Sequence, residues 1–259
     1  KSVLMNSLVS IITPSYNSAK FIAETIQSVQ NQTHQNWEMI IVDDASSDET
    51  VTLVSKIIIN DSRIKLIQLH ENHGSGFARD KALEHSNGNY IAFLDSDDLW
   101  KPNKLEKQLQ FMKEFKLPLT FSFYELIDEQ SVPLNKLITT PNEIVYNQLY
   151  YCNWVGNLTG IYSVDFFGKV PNSIIKKRQD WILWLTLVKK TGKIIPIPEN
   201  LASYRIRKDS ISSSKWKLIK YNFMVYKNHH KQNIFKSFVD LVLFFFNQLI
   251  VKPNYKIKK

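Results

Sequence analysis

The chain has 259 residues, of which 44% are hydrophobic and 22% are charged, and it holds seven glycines and nine prolines. This composition is typical of a globular protein and excludes collagen-like and low-complexity chains. Cys152 is the single cysteine, which excludes an intramolecular disulfide and fits a reducing compartment. We interpret Cys152 as a small core residue, with a catalytic thiol as the less favoured alternative.

The positive charge of the chain is concentrated near its C-terminal end. Residues 205–259 hold 13 basic and 2 acidic groups, a net charge of +11, whereas residues 1–204 hold 20 and 22. Such a basic block is typical of a nucleic-acid arm, a membrane-surface segment or a solvated helix face. Nine aromatic residues between Trp216 and Phe246 favour a lipid interface. We therefore predict a membrane surface, and no nucleic acid, as the partner of this segment.

No run of about 18 apolar residues that could span a bilayer is apparent in the sequence. The most apolar segment, residues 238–251, is interrupted by Asp240, Asn247 and Gln248. The amino-terminal residues lack the basic, apolar and small-residue order of a signal peptide, which predicts a cytoplasmic location. We expect residues 215–259 to form a basic helical tail along the inner face of the cell membrane. The alternative is that the apolar face of this tail packs on the rest of the protein.

Short apolar strands alternate with helices over the first hundred residues. The spacing predicts strands over 8–13, 37–42, 64–69 and 90–94, and helices over 19–30, 51–59 and 74–84. This alternation predicts an α/β fold with a doubly wound, mostly parallel sheet and helices on both faces. Ligands of such sheets bind at the carboxyl ends of the strands, where the polar segments 14–17, 43–44 and 95–97 stand.

The second half of the chain is less regular. We predict a helix over 104–115, a strand over 119–127, a polar loop over 131–141 and a strand over 157–163. An apolar helix follows over 181–188, then short strands over 194–198 and 201–206, and then one or two helices in the tail.

An acidic cluster follows the fourth predicted strand, in the segment IAFLDSDDLW. The carboxylates of Asp95, Asp97 and Asp98 repel one another, and a hard divalent cation among them would make the cluster favourable. A cation held by few protein ligands keeps positions open for the phosphates of a nucleotide. The alternative is that the cluster caps the helix that starts near Pro102.

Asp43 and Asp44 end the second predicted strand. Neighbouring side chains of a strand point to opposite sides, so one of the two carboxylates faces the crevice at the strand ends. A carboxylate there can accept a hydrogen bond from a nucleobase N–H or from a ribose hydroxyl. The alternative is that both residues only form a turn.

Four segments follow one another along the predicted sheet, and they read ITPSYN, VDDASSDET, GSGFARDKAL and FLDSDDLW. In this order and spacing the sequence closely resembles the GT-A domain of family-two glycosyltransferases, over about residues 8–210. The glycines of the third segment follow the third strand, whereas a dinucleotide-binding fingerprint would follow the first. The resemblance implies a GT-A catalytic domain over residues 1–214, followed by the helical tail of residues 215–259.

The resemblance also implies an activity, which is the metal-dependent, inverting transfer of a sugar from a nucleoside-diphosphate sugar, with a UDP-sugar favoured. The implied acceptor is a hydroxyl group of a glycan or of a polyprenyl-linked saccharide in bacterial surface polysaccharide synthesis. Two alternatives stay open. One is a nucleotidyltransferase on a similar sheet, although no phosphate-binding loop follows the first strand. The other is a catalytically silent scaffold that binds sugar nucleotides.

The site residues implied by the resemblance lie at the strand ends and near the apolar helix. Asp97 is implied as the direct ligand of Mn²⁺ or Mg²⁺, with Asp95 facing the ribose or a metal-bound water. The ring of Tyr16 is implied to stack near the base. The other residues implied to bind the nucleotide sugar are Pro14, Asp43, Asp44, Arg79, Ser96, Gln179 and Arg207.

The implied catalytic base is Asp180. An inverting transfer needs a base for the acceptor hydroxyl on the side opposite the leaving diphosphate. Asp180 stands where the family usually reads Glu-Asp before a helix, and the alternative is that it only caps that helix. Gln179 departs from the family pattern, which often has Glu there. Arg207 stands where the family often has histidine, within a segment, residues 204–212, that forms a flexible loop near the donor in the family.

Overall fold

A computed structural model describes residues 7–207 and 215–258 of the chain. Strands and helices alternate in its first half, and they run as β1 (Val9–Ser15), α1 (Ile22–Gln30), β2 (Trp37–Asp43), α2 (Thr50–Ile58), β3 (Ile64–Gln68), α3 (Ser75–Glu84) and β4 (Tyr90–Phe93). These four strands are parallel and lie in the order β3-β2-β1-β4. The predicted strand–helix alternation is confirmed, with boundaries that shift by at most three residues.

Helices cover both faces of this sheet because its strands are apolar on both faces. Every residue of β1 and β2 is buried. Alternate strand residues enter two hydrophobic clusters: Ile12 and Ile40 join one, and Ile11 and Met39 join the other. Since successive strand side chains point to opposite faces, the two clusters lie on the two sides of the sheet. The predicted doubly wound arrangement is therefore confirmed.

Elements of mixed length and order make up the next part of the chain. They are β5 (Leu99–Trp100), α4 (Lys104–Glu114), β6 (Leu119–Ile127), β7 (Pro133–Ile138), β8 (Ile144–Val145), α5 (Tyr146–Tyr151), β9 (Ile161–Ser163), α6 (Val164–Phe167), α7 (Gln179–Thr191), β10 (Lys193–Ile194) and β11 (Pro196–Arg205). The sheet continues from β4 through β9 and β6 to β7, with antiparallel neighbours. β11 runs parallel to β6 and antiparallel to β5.

Of the sequence-based predictions for this part, one is wrong and two are confirmed only in part. The predicted loop 131–141 contains β7, whose mix of exposed and half-buried positions gives a weak apolar signal. The predicted strands 194–198 and 201–206 are largely one strand, β11. Its pairing with β6 is irregular around Asn200 but continues past that residue. The predicted strand 157–163 begins with a short 3₁₀ turn, Asn157–Thr159, so that only Ile161–Ser163 pairs in the sheet.

The described part of the tail contains two α-helices, short π- and 3₁₀-helical turns over 225–229 and 247–255, and a last strand. The α-helices and the strand are α8 (Lys215–Met224), α9 (Ile234–Phe246) and β12 (Lys256–Lys258), and β12 pairs antiparallel with β7. Tyr226, Leu241 and Phe244 of the tail are buried in the same cluster as Trp181 of α7. The tail therefore packs on the rest of the protein. The predicted boundary after residue 214 adjoins residues 208–214, which are outside the described part of the chain.

One face of the tail nevertheless stays exposed and apolar. Exposed apolar side chains recur along α9 and the turn after it, at Phe235, Phe238, Val239, Val242, Leu243, Phe246, Leu249 and Ile250. Within the described residues, the helical stretch Ile234–Tyr255 is long and apolar enough to cross a membrane, with a mean hydropathy of 1.8 over 18 residues. The expectation that no segment meets this criterion is therefore wrong, although a single such helix is weak evidence of a membrane span.

Cys152 lies at the C-terminal end of α5, fully buried in the core. Burial raises the pKa of its thiol to about 11, so the nucleophilic thiolate is scarce at neutral pH. The interpretation of Cys152 as a core residue is confirmed.

Candidate active site

A cavity of about 920 Å³ opens at the carboxyl ends of β1, β2 and β4. This volume lies in the range of small-molecule sites. The residues predicted from the sequence that line it are Pro14, Tyr16, Asp44, Arg79, Asp95, Ser96, Asp97, Gln179, Asp180 and Arg207. Residues from distant parts of the chain thus meet at one cavity, as predicted for the strand ends of a doubly wound sheet.

Asp44 forms a fixed part of the cavity wall between β2 and α3. Its carboxylate accepts from the backbone N–H groups of His73 (2.8 Å) and Gly74 (2.7 Å). Gly74 has a φ of +90°, a conformation that favours glycine and that presents its N–H to the carboxylate. Tyr16 stands across the strand ends with half of its side chain exposed, so its ring is free to contact a planar ligand.

Asp43 differs from the other predicted residues because it does not line the cavity. Its two carboxylate oxygens accept from the backbone N–H (2.8 Å) and the hydroxyl (2.6 Å) of Ser46, which closes the turn after β2. Of the two neighbouring aspartates, Asp44 faces the cavity. A role for Asp43 in binding stays a prediction.

The acidic cluster and two arginines form what we call the acidic wall, made of Asp95, Asp97, Arg79 and Arg207. Arg79 donates to Asp95 (2.6 Å), and Arg207 donates to Asp97 (2.9 Å). Burial raises the pKa of Asp97, the hydrogen bond from Arg207 opposes this shift, and the charge of Asp95 adds to it. Negative charge at this wall is thus balanced by guanidinium groups that could also face phosphates.

Asp98 has a structural role. Its carboxylate accepts from the backbone N–H of Arg205 (2.9 Å) and so ties the acidic cluster to β11. Burial raises the pKa of Asp98 well above its usual value, and the charges of Asp97 and Asp95 raise it further.

A metal ion would find two carboxylates at the acidic wall, those of Asp95 and Asp97. The described residues contain no group of three or more His, Cys, Asp or Glu side chains that could hold a metal. The residues fit a cation that takes most of its ligands from the phosphates of a nucleotide and few from the protein. Arg207 would have to yield its position on Asp97 to such a cation.

Asp180 lies in the first turn of α7 and points to the cavity. The side-chain amide of Asn153 donates to its Oδ2 (2.9 Å). Arg178 occupies the N-cap position in a left-handed conformation, with a φ of 68°, and no side-chain capping bond is formed. Asp180 is therefore not the N-cap of α7, contrary to the alternative that it serves only as a cap.

Gln179 is held between two elements of the cavity wall. Its side-chain amide donates to the carbonyl of Ser173 (3.0 Å). A Cβ atom on Gly76 would lie 1.9 Å from the Gln179 Nε2, so a larger residue at position 76 would require the Gln179 side chain to move. Gly76 in the GSGFARD segment thus serves the packing of α3 against the start of α7.

Sequence reasoning missed several residues that line the cavity, among them Asn153, Gln248 and Lys252. Asn153 lies 27 positions before Asp180, and nothing in the sequence connects the two. Gln248 could have been singled out from the sequence, because it is a polar residue within the apolar stretch of the tail. The segment 204–212 is described only to residue 207, so residues 208–212 of the predicted donor loop lie outside the described part of the chain.

Comparison with known proteins identifies the family. The glycosyl transferase family 2 profile matches residues 10–164. The chain is 42% identical to the putative teichuronic acid biosynthesis glycosyltransferase TuaG of Bacillus subtilis over 230 residues, which cover 89% of this chain and 91% of TuaG. It is 38% identical to the Escherichia coli UDP-Glc:α-D-GlcNAc-diphosphoundecaprenol β-1,3-glucosyltransferase WfgD over 214 residues, with 82% and 83% coverage.

Solved structures share the fold at low sequence identity. S. aureus TarS 1–349 in complex with UDP-GlcNAc superposes with a TM-score of 0.69 and 21% identity, covering 93% of this chain and 73% of that one. A mannosyltransferase of Pyrobaculum calidifontis in complex with GDP-Man and Mn²⁺ gives a TM-score of 0.65 and 17% identity, with 93% and 70% coverage. The expected GT-A fold is confirmed. The chain is a glycosyltransferase and belongs to glycosyl transferase family 2.

Proposed function

We propose that this protein transfers a sugar, with inversion, from a nucleoside-diphosphate sugar to a hydroxyl group of a lipid-linked saccharide or glycan in surface polysaccharide synthesis. A UDP-sugar is the favoured donor. The proposal depends above all on the meeting of Asp180 with the acidic wall in one cavity. The names of WfgD and TuaG support the acceptor class and the pathway class, since both proteins are similar to this chain over more than four fifths of its length.

The donor would lie along the acidic wall. Tyr16 and Pro14 provide a surface for the base, and Asp44 provides oxygen acceptors beside it. Asp97 and Asp95 would hold a Mn²⁺ or Mg²⁺ ion, which when bound neutralises charge on the leaving diphosphate. Arg79 and Arg207 lie beside these carboxylates and would offer their guanidinium groups to the diphosphate oxygens.

Asp180 would act as the base. Asn153 holds one carboxylate oxygen of Asp180, which fixes the side chain at the start of α7. A carboxylate in this position would accept the proton of the acceptor hydroxyl as the hydroxyl attacks the anomeric carbon opposite the diphosphate. Neither the nucleotidyltransferase nor the silent scaffold gains support from any contact at the site, and membership of the family argues against both.

The tail would hold the enzyme at the inner face of the membrane, where a polyprenyl-linked acceptor resides. The exposed fraction is 81% for Phe235, 65% for Val242 and 69% for Leu249 on its apolar face. The same segment is strongly basic, and each Lys or Arg near an anionic surface contributes about 1 kcal/mol to binding. Both features favour a cytoplasmic enzyme that binds the membrane peripherally.

The donor site can be tested by ligand-induced stabilisation of the purified protein. UDP should raise the melting temperature more with Mn²⁺ than with EDTA, because a ligand that binds only the folded state stabilises it. Asp97→Ala should abolish the Mn²⁺-dependent part of this shift and of calorimetric UDP binding, while the protein stays folded. The exposed Asp165, away from the cavity, provides the matched control Asp165→Ala.

Transfer to acceptors completes the test of the proposed function. A panel of UDP-sugars is assayed with a GlcNAc-diphospholipid and with an alkyl GlcNAc glycoside as acceptors. Formation of a disaccharide product with inverted linkage supports the proposal. Mn²⁺-dependent binding of UDP that survives in Asp97→Ala would reject the assigned metal site, and retention of the donor configuration would reject the inverting mechanism.

A further inference from the structure

Four cationic side chains line the cavity on the side of Asp180, and we call them the basic wall: Lys176, Lys177, Arg178 and Lys252. The arginines of the acidic wall are both ion-paired with aspartates. No carboxylate lies within ion-pair distance of any member of the basic wall in the described part of the chain. Within the described residues, the cavity thus contains four cationic side chains that form no ion pair with a carboxylate.

Two members of the basic wall, Arg178 and Lys252, are held in place by neutral partners. The Nε of Arg178 donates to Asn222 (2.7 Å), and its guanidinium lies 5.9 Å from the ring centre of Phe244. The Nζ of Lys252 donates to the carbonyl of Asn153, the residue whose side chain holds Asp180. Tail residues thus place two cations next to the base.

The burial of Arg178 and Lys252 has an electrostatic cost. Burial lowers the pKa of Lys252, and the charge of Arg178 lowers it further, whereas Asp180 opposes the shift. Burial likewise lowers the pKa of Arg178. A cation that is buried without a charged partner costs free energy unless an anion binds beside it. An anionic group bound at this wall would remove that cost.

The position of the wall indicates which anion binds there. In the proposed function, the diphosphate of the donor faces the acidic wall, and the acceptor hydroxyl faces Asp180. WfgD, as its name states, acts on GlcNAc joined to undecaprenol through a diphosphate. In such an acceptor the diphosphate is one sugar ring away from the reacting hydroxyl. The basic wall flanks Asp180 and so lies where this second diphosphate would be.

We propose that Lys176, Lys177, Arg178 and Lys252 bind the diphosphate of a lipid-linked acceptor. This proposal rests on the proposed function and adds a site that is separate from the donor site. Lysine and arginine side chains are the usual protein partners of phosphate oxygens. Lys252 also follows the exposed apolar residues Phe246 and Leu249 along the same helical stretch. The lipid chain would leave the site along this apolar face.

Calorimetry with farnesyl diphosphate tests the site without requiring turnover. The full chain is first saturated with UDP and Mn²⁺, so that the donor site is filled. The double variant Lys176→Gln/Lys177→Gln should bind farnesyl diphosphate about tenfold or more weakly than wild type, because it loses charge-assisted phosphate contacts. Its affinity for UDP should be unchanged. The matched control is Lys227→Gln/Lys231→Gln, which changes two exposed tail lysines outside the cavity.

Several outcomes would overturn the proposal. Equal affinity of wild type and the double variant for farnesyl diphosphate would do so. An equal loss of UDP affinity would assign the lysines to the donor instead. Farnesol, which lacks phosphate, should not distinguish the two proteins, and if it does, the contact is apolar. Transfer to the uncharged alkyl glycoside should persist in the double variant, because this acceptor has no diphosphate. If the wild type transfers sugar to no acceptor, that result contradicts the proposed function and not the diphosphate site.

Discussion

The geometry of the cavity depends on single residues, and Asp180, the proposed base, shows how little of that geometry is local. Its place in the first turn of α7 follows from the segment around it, but the orientation of its carboxylate depends on Asn153. Asp44, Asp95 and Asp97 were predictable because each lies within four positions after the end of a buried strand. Asn153 and Lys252 were not, because their positions depend on how α5 and the tail pack against α7.

The substitution Asp180→Asn should lower turnover by about two to four orders of magnitude, the usual contribution of a positioned general base. UDP affinity should stay unchanged, because the acidic wall is intact. Steady-state kinetics and calorimetry separate the two quantities, with Asp165→Asn as the control. A loss of turnover below about fivefold would place the base elsewhere.

Individual helices and strands were predicted correctly where the apolar pattern of their sequence was strong. The fully buried strands β1 and β2 and the helix α1 were predicted, since their continuous or helical apolar patterns leave little ambiguity. β7 was missed, because it is held by pairing with β6 and β12 rather than by its own composition. A helix in the tail was predicted, whereas its docking was only the alternative to membrane binding, and its partners in α5 could not be named because they lie about ninety positions earlier.

The docking of α9 depends on Asp240, which is buried and accepts from the hydroxyls of Tyr150 (2.7 Å) and Tyr151 (3.3 Å). We expect Asp240→Asn to lower the free energy of unfolding by about 1.5–3 kcal/mol, because it disturbs a buried hydrogen bond to a charged group. Urea unfolding of this variant, of Tyr150→Phe and of the double variant forms a double-mutant cycle. Strictly additive losses would show that the pair does not couple α9 to α5.

The whole molecule combines a packed tail with an exposed apolar face, so the two alternatives considered for the tail are compatible. Leu241 and Phe244 join the core, while Phe238 and Phe246 face outward from the same helix. A truncation before the tail would therefore remove core residues as well as the apolar face. Point substitutions on the outer face are the cleaner test.

We expect the full chain to float with anionic vesicles at low salt and to be released by high salt, as a peripheral protein is. Phe238→Glu/Phe246→Glu should reduce flotation, because it places charge on the apolar face. The control Ile59→Glu/Val132→Glu changes two exposed apolar residues outside the tail. Equal flotation of wild type and the tail variant would exclude this face, and resistance of the bound wild type to high salt would favour a membrane-spanning helix.

The pairing of β12 with β7 and the bond from Lys252 to Asn153 have a consequence for the order of folding. Lys252 and Asn153 are 99 positions apart, whereas the neighbouring strands β1 and β2 start 28 positions apart. Contacts between distant segments form late, because a long loop must close first. We therefore expect the parallel sheet to form before the tail docks. A refolding chain would then acquire the carboxylates at the strand ends first and the basic wall last.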